Sequence, residues 1–138
     1  MDDLEKIKIG VVAGGISSER EISLKSGRAV HESLSKHGFS SKLIDIKSQE
    51  KLKSSETYKG LVLVFIMIHG KGGEDGEIQS ILEAAKIKYT GSDSTSSLNA
   101  FDKLKSKEIF EKNGLEVPLR MMLQHSPCLL YTSDAADE

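Results

Sequence analysis

Apolar residues fall along this chain in short bursts, separated by stretches rich in glycine, serine, lysine and acidic side chains. Ile7 to Ala13 is a β-branched run halted by Gly14-Gly15, which predicts a buried strand. Ser18 stands three residues before Glu21, the spacing of a capping box, and predicts a helix start. Ile22, Ala29, Val30 and Leu34 would keep one face of that helix apolar, and Gly38 after His37 would stop it in a left-handed turn. Ser41 to Ile46 alternates in the manner of a second strand. Lysines, serines and glutamates follow as a polar loop, read as solvated surface. Leu61 to Ile68 is the strongest strand pattern, apolar on both faces as a central parallel strand is. Beyond His69 and the glycine-rich Gly70 to Gly76, Ile78, Ile81, Leu82 and Ala85 recur at helical spacing. Ile87 to Thr90 predicts a fourth short strand, closed by Gly91. A last helix is expected from about Asp102 to Asn113, with Leu104, Ile109 and Phe110 inward and Gly114 as its stop. The order strand, helix, strand, strand, helix, strand is that of an α/β fold with a parallel sheet.

The 138 residues suffice for one domain with a core and are too few for two ordinary ones. The apolar fraction of 38% is that of a folded chain, and the formal net charge of −2 gives no basic field for nucleic acid. The longest apolar run, Leu61 to Ile68, is too short to span a bilayer. The acidic start, Met1-Asp2-Asp3-Leu4-Glu5, lacks the basic and apolar regions of a signal peptide, so a cytoplasmic location is expected. The single cysteine, Cys128, leaves no intramolecular disulfide. The string from Cys128 to Glu138 resembles translated sequencing-adapter sequence, and these residues are set aside as a non-native tail.

Ligands of an open parallel sheet sit beyond the carboxyl ends of its strands. Two loops leave such ends: Gly14-Gly-Ile-Ser-Ser-Glu-Arg-Glu21 and His69-Gly-Lys-Gly-Gly-Glu-Asp-Gly76. If the first and third strands are neighbours, both loops open onto one crevice. The spacing G-x-G-x-x-G is missing from the first loop and no P-loop pattern occurs, which disfavours dinucleotide and P-loop chemistry. Glu19 falls in the first turn of the expected helix, where the dipole favours its ionised form; such a carboxylate suits an ammonium group. Position alone reads it as an ordinary first-turn acid. His69 ends an apolar strand, so its ring is expected to point into the crevice, and location serves a core histidine equally well. Glu74 and Asp75 are expected to cap the following helix rather than hold a metal. His31 and His37 read as solvated, and no partner is evident for Tyr58 or Tyr89.

Gly14 to Leu24 resembles the amino-terminal signature of the D-alanine–D-alanine ligases, and His69 to Gln79 resembles their second one. Tyr89-Thr-Gly-Ser92, Phe101-Asp-Lys103 and Gly114-Leu-Glu-Val-Pro118 are similar to the family in order and spacing, so the likeness covers about residues 6 to 118. The resemblance implies a Rossmann-like parallel sheet flanked by helices, the pre-ATP-grasp domain, over residues 1–118. Residues 119–127 would begin a linker to an ATP-grasp domain. The family joins two D-alanines at the expense of ATP, in peptidoglycan precursor synthesis. On this resemblance Glu19 would hold the ammonium of the first D-alanine, and His69 would lie near its carboxylate. Gly14, Gly15, Gly70, Gly72 and Gly73 would shape the pocket, and Lys103 would reach the nucleotide phosphates. The groups that hold Mg2+ and the transferred phosphoryl would follow residue 118, so the fragment is expected to be inactive and the whole protein a homodimer. Other readings are the same domain of a D-alanine–D-lactate or other ATP-grasp ligase, and a non-catalytic module that binds a small amino acid.

Overall fold

The β-branched run near the start of the chain forms β1 (Ile9–Gly14), every residue of which is buried. A computed structural model describes residues 8–118, and the expectations for 119–127 and 128–138 lie outside the described residues. β1 lies between β2 (Ser41–Ile46) and β3 (Leu63–Ile66), with β4 (Lys88–Tyr89) beyond β3. All three pairings are parallel, so the chain is an α/β fold with a parallel sheet, as its pattern predicts. Ile9 stands opposite both Ser41 and Leu63, and the carboxyl ends of β1 and β3 therefore emerge side by side.

Helix α1 (Arg20–Lys36) covers the sheet with small residues, not with the apolar face expected of it. Its buried residues are Ser23 and Gly27, whereas Ile22 is 62% exposed. Close approach explains the difference: a Cβ at Gly27 would stand 2.5 Å from the Cβ of Ala13. The Ser23 hydroxyl accepts from Gly14 N at 2.8 Å and donates to Met67 O at 2.6 Å, joining the ends of β1 and β3. The expected capping box does not form. Glu19 occupies the N-cap position without a side-chain cap, and Ser17, not Ser18, accepts from the Glu19 amide. His31, expected to be solvated, is half-buried and bonds Ser41 Oγ at 2.8 Å.

The polar stretch after β2 is a second correction. It folds into α2 (Gln49–Lys53) and a 3-10 turn at Ser55–Tyr58, and these insert Leu52 and Tyr58 into the core beside Ile46, Val64, Ile78 and Leu82. Tyr58 can be buried because its hydroxyl donates to Leu52 O at 2.7 Å. Ile78 and Leu82 come from α3 (Glu77–Ala84), on the face the spacing predicts. The serine-rich segment after β4 forms an unexpected helix, α4 (Ser94–Phe101), begun by the Asp93 carboxylate on Ser96 N at 2.7 Å. In α5 (Lys103–Lys112) the Asp102 carboxylate accepts from Leu104 N and Lys105 N. Ile109 and Phe110 are exposed there, contrary to expectation, because α5 packs on α4, and α4 on α3, away from the sheet.

Candidate functional site

The loops that follow β1 and β3 meet, as their adjacent strands require. Ser17 supplies the join: its hydroxyl donates to His69 O at 3.1 Å and accepts from Glu19 N at 3.3 Å. Glu19 sits at the start of α1 and is exposed. Its carboxylate lies against Gly70, where a Cβ would stand 2.7 Å from Glu19 Oε2 and the backbone holds φ at +69°. Gly70 is therefore required twice, for its left-handed backbone and for the room it leaves. The other expected pocket glycines press against protein. A Cβ at Gly14 would strike Asp45 and Arg20, at Gly15 Ile68 Cγ2, at Gly72 Leu52, and at Gly73 the Ile68 carbonyl.

Arg20 holds the first loop from below. Its guanidinium donates to both Asp45 carboxylate oxygens at 2.8 and 2.9 Å, to Ile46 O at 2.7 Å and to Gly15 O at 3.2 Å. In the second loop Asp75 accepts from Gly72 N at 2.9 Å and Glu77 N at 3.1 Å, and so does help to begin α3. Glu74 does not, since it lies 3.5 Å from His69 Nδ1 instead. His69 is half-buried and borders a hollow of about 310 Å³ with Gln79, Thr90, Ser92, Ser96 and Ala100, to which no residue of the first loop contributes. Among the described residues its Nε2 has no partner.

Glu83 ties together Tyr89 and Ser94, which flank the Thr90–Ser92 stretch bordering that hollow. Its carboxylate accepts from Ser94 Oγ and Tyr89 Oη, both at 2.6 Å, and from Ser94 N at 2.9 Å. The Ser94 hydroxyl, then Tyr89 and the Ser94 amide, hold the Glu83 carboxyl below the usual range. Tyr89 is pushed up to about 12 by burial and by the Glu83 carboxylate, with Asp93 adding to it.

Lys103 opens α5. It borders an open groove of about 650 Å³ with Asn99, Lys107, Ile109 and Phe110. The groove and the His69 hollow share Ser96 and Ala100, which lie four residues apart on one face of α4, so the two adjoin there. Among the described residues no group of three His, Cys, Asp or Glu side chains could hold a metal ion, and no helix is long and apolar enough to cross a membrane. The sequence reading passed over Ser17, Arg20, Gln79 and Glu83. Each acts on a group brought near by folding, and only Asp45, an acid on an otherwise apolar strand end, hints at a partner for Arg20.

A family model for the D-Ala D-Ala ligase N-terminus matches residues 47–92. The D-alanine–D-alanine ligase of Trichlorobacter lovleyi is 42% identical over 128 residues, 92% of this chain and 40% of the relative. That of Citrifermentans bemidjiense is 44% identical over 117 residues, 85% of this chain and 38% of the relative. The D-alanine–D-alanine ligase from Bacillus anthracis superposes with a TM-score of 0.74 at 36% identity, covering 81% of this chain and 36% of that one. The chain belongs to the D-alanine–D-alanine ligase family. It spans about two fifths of the length of the curated relatives it matches and corresponds to the amino-terminal domain of the family. The Bacillus anthracis structure complexed with ATP matches equally well, and the VanG D-Ala:D-Ser ligase from Enterococcus faecalis has a TM-score of 0.68 at 31% identity over 82% of this chain.

Proposed function

We propose that this chain supplies the first D-alanine site of an ATP-dependent D-alanine–D-alanine ligase. The observation that carries the proposal is the meeting of the two signature loops, with the Glu19 carboxylate seated over Gly70 and His69 tied through its carbonyl to Ser17. An anionic group and an imidazole on adjoining loops match the two charged ends of an amino acid. Glu19 would hold the ammonium, His69 would face the carboxylate, and Gly70 would keep the space between the loops clear. Lys103, exposed on its groove, would meet the phosphates of ATP in the complete enzyme. ATP supplies the phosphoryl that activates the first carboxylate. The described residues offer no donor set for Mg2+, so no step is assigned to them through that ion. The complete protein would work in the cytoplasm as a homodimer, in peptidoglycan precursor synthesis. The reading concerns the first substrate; that the VanG D-Ala:D-Ser ligase has a similar domain supports discrimination of the second substrate elsewhere in the protein.

The test is Glu19→Gln in a chain completed with the remainder of the Trichlorobacter lovleyi ligase. A charge-assisted contact of this kind contributes about 1.5–3 kcal/mol, so kcat/KM for the first D-alanine should fall roughly ten- to a hundredfold. Stability should change by no more than about 0.3–1 kcal/mol, the contribution of an acid at a helix start. Unchanged kcat/KM with a lowered Tm would reduce Glu19 to a helix-start residue.

A further inference from the structure

We propose that Arg20 is a positioning residue for Glu19, its guanidinium clamping the first loop to the end of β2 so that the carboxylate stands over Gly70. The inference rests on the reading of Glu19 as the ammonium contact. Glu19 does not place itself, since it occupies the N-cap position of α1 without a side-chain cap bond. The backbone around it is held from elsewhere, and Arg20 is the next residue along. Its guanidinium makes four bonds: to the Asp45 carboxylate oxygens at 2.8 and 2.9 Å, to Ile46 O at 2.7 Å and to Gly15 O at 3.2 Å. Ile46 O also accepts from Gly15 N at 2.8 Å. One carbonyl at the end of β2 thus fastens the loop twice, by its backbone and through Arg20.

The clamp and the Glu19 carboxylate lie on opposite sides of β1. Asp45 stands on β2 opposite Ala13, whereas Gly70 follows β3, on the other flank of β1. Arg20 and Glu19, adjacent in the chain, reach to either side of that strand, and holding one aims the other. Gly14 leaves the room the clamp needs, since a Cβ there would stand 2.5 Å from Asp45 Oδ1 and 2.6 Å from Arg20 Nη1. The paired side chains are only 29% and 30% exposed, and a bidentate pair partly withdrawn from water holds more firmly than one at an open surface. The place demands a planar fork. A lysine would keep the charge, but its single nitrogen cannot reproduce a fork that bridges a carboxylate and two carbonyls.

Backbone amide NMR of the 138-residue chain tests the inference, with Gly70 as the reporter because the Glu19 carboxylate lies against it. Glu19→Gln removes the charge and should move the Gly70 amide shift. Arg20→Lys keeps the charge and should move it too, by displacing Glu19. Added to Glu19→Gln, the same Arg20→Lys change should move it far less, since the two residues act as one unit. Leu82→Ala, which removes a fully buried side chain on α3, should lower Tm at least as far and leave the Gly70 amide in place. An unmoved Gly70 amide in Arg20→Lys, an equal movement with and without the Glu19 charge, or an equal movement in Leu82→Ala would overturn the inference. Should Arg20→Lys not fold, Asp45→Asn, which loses the charge and keeps the shape, is held to the same outcomes. These measurements need no substrate. The substrate reading fails separately, if Glu19→Gln in the completed enzyme leaves kcat/KM for the first D-alanine unchanged. Where Glu19→Gln does lower it, Arg20→Lys should raise KM for that D-alanine about tenfold and leave KM for ATP near its parental value. A rise in both KM values alike would reduce Arg20 to a stabilising residue.

Discussion

Gly70 holds a left-handed backbone and leaves to the Glu19 carboxylate the space a Cβ would fill. Gly38 makes a useful contrast: its φ is +80°, yet a Cβ there would meet nothing within 4 Å. Gly→Ala at either position carries the conformational cost of a left-handed residue, on the order of 1–2 kcal/mol, and both variants should lose several degrees of Tm. Only Gly70→Ala should displace Glu19. In the completed enzyme its kcat/KM for the first D-alanine should fall at least about tenfold, while Gly38→Ala stays near normal. Equal kinetics in the two variants would show that the Glu19–Gly70 contact has no part in the site. The motif glycines were visible in the sequence as a group, but which of them faces another loop depends on distances that arise only on folding. Tyr58 was hidden differently, as one aromatic among lysines and serines. Burial, followed by the Glu77 charge, pushes its phenol up to about 12. Its contribution to stability is complete below the ordinary phenol value near 10 and is lost as pH rises through 12. Tyr58→Phe should cost about 1 kcal/mol at neutral pH through the Leu52 bond. Denaturant melts between pH 10 and 12 should then fall less steeply for the variant than for the parent chain.

Strands were more legible than helices, and the reason lies in what each buries. Every residue of β1 is buried, so its apolar run states its place directly. Helix α1 crosses the sheet so closely that Ser23 and Gly27 face inward, and a search for large apolar residues at helical spacing selects Ile22 instead. Helix α4 buries no residue at all, so no apolar stripe could have announced it. Capping does that work: Asp93 accepts from Ser96 N, and Glu83 of α3 grips Ser94 from the side. Because the folded state holds the Glu83 carboxyl below its ordinary range, the stabilisation is present above that range and is lost as pH falls through the lowered value. Amide exchange in Ser94–Phe101 should therefore quicken on acidification ahead of exchange in β1. Glu83→Gln should show the loosened α4 already at neutral pH, since an amide accepts these bonds less strongly than a carboxylate. Exchange in α4 that is insensitive to both changes would mean that Glu83 does not hold the helix.

The whole molecule divides into a sheet with well-buried cover and an outer pair of helices with little. The core gathers Val12, Ile46, Tyr58, Val64, Ile78 and Leu82, contributed by β1, β2, β3, the 3-10 turn and α3. By contrast Leu98, Phe101, Ile109, Phe110 and Leu115 are all large, apolar and exposed, on α4, on α5 and just beyond it. The sequence pattern predicted an inward face for α5 because apolar spacing tells that a helix has a face, not that the chain brings anything to cover it. Local stability follows buried apolar contact, and a helix pair without it opens at little cost in free energy. Backbone amides of α5 should exchange at least about a hundredfold faster, relative to their intrinsic rates, than those of β1 and β3. Phe110→Ser should then change the melting transition by no more than about 0.5 kcal/mol, as for an exposed site, whereas Leu82→Ala should cost about 2–5 kcal/mol. Matching protection in α5 and β1, together with a large loss from Phe110→Ser, would show instead one cooperative unit that extends through both outer helices. In that case Lys103 would be held as rigidly as Glu19. The division into two units predicts the opposite, a firm Glu19 and a lysine on a yielding support.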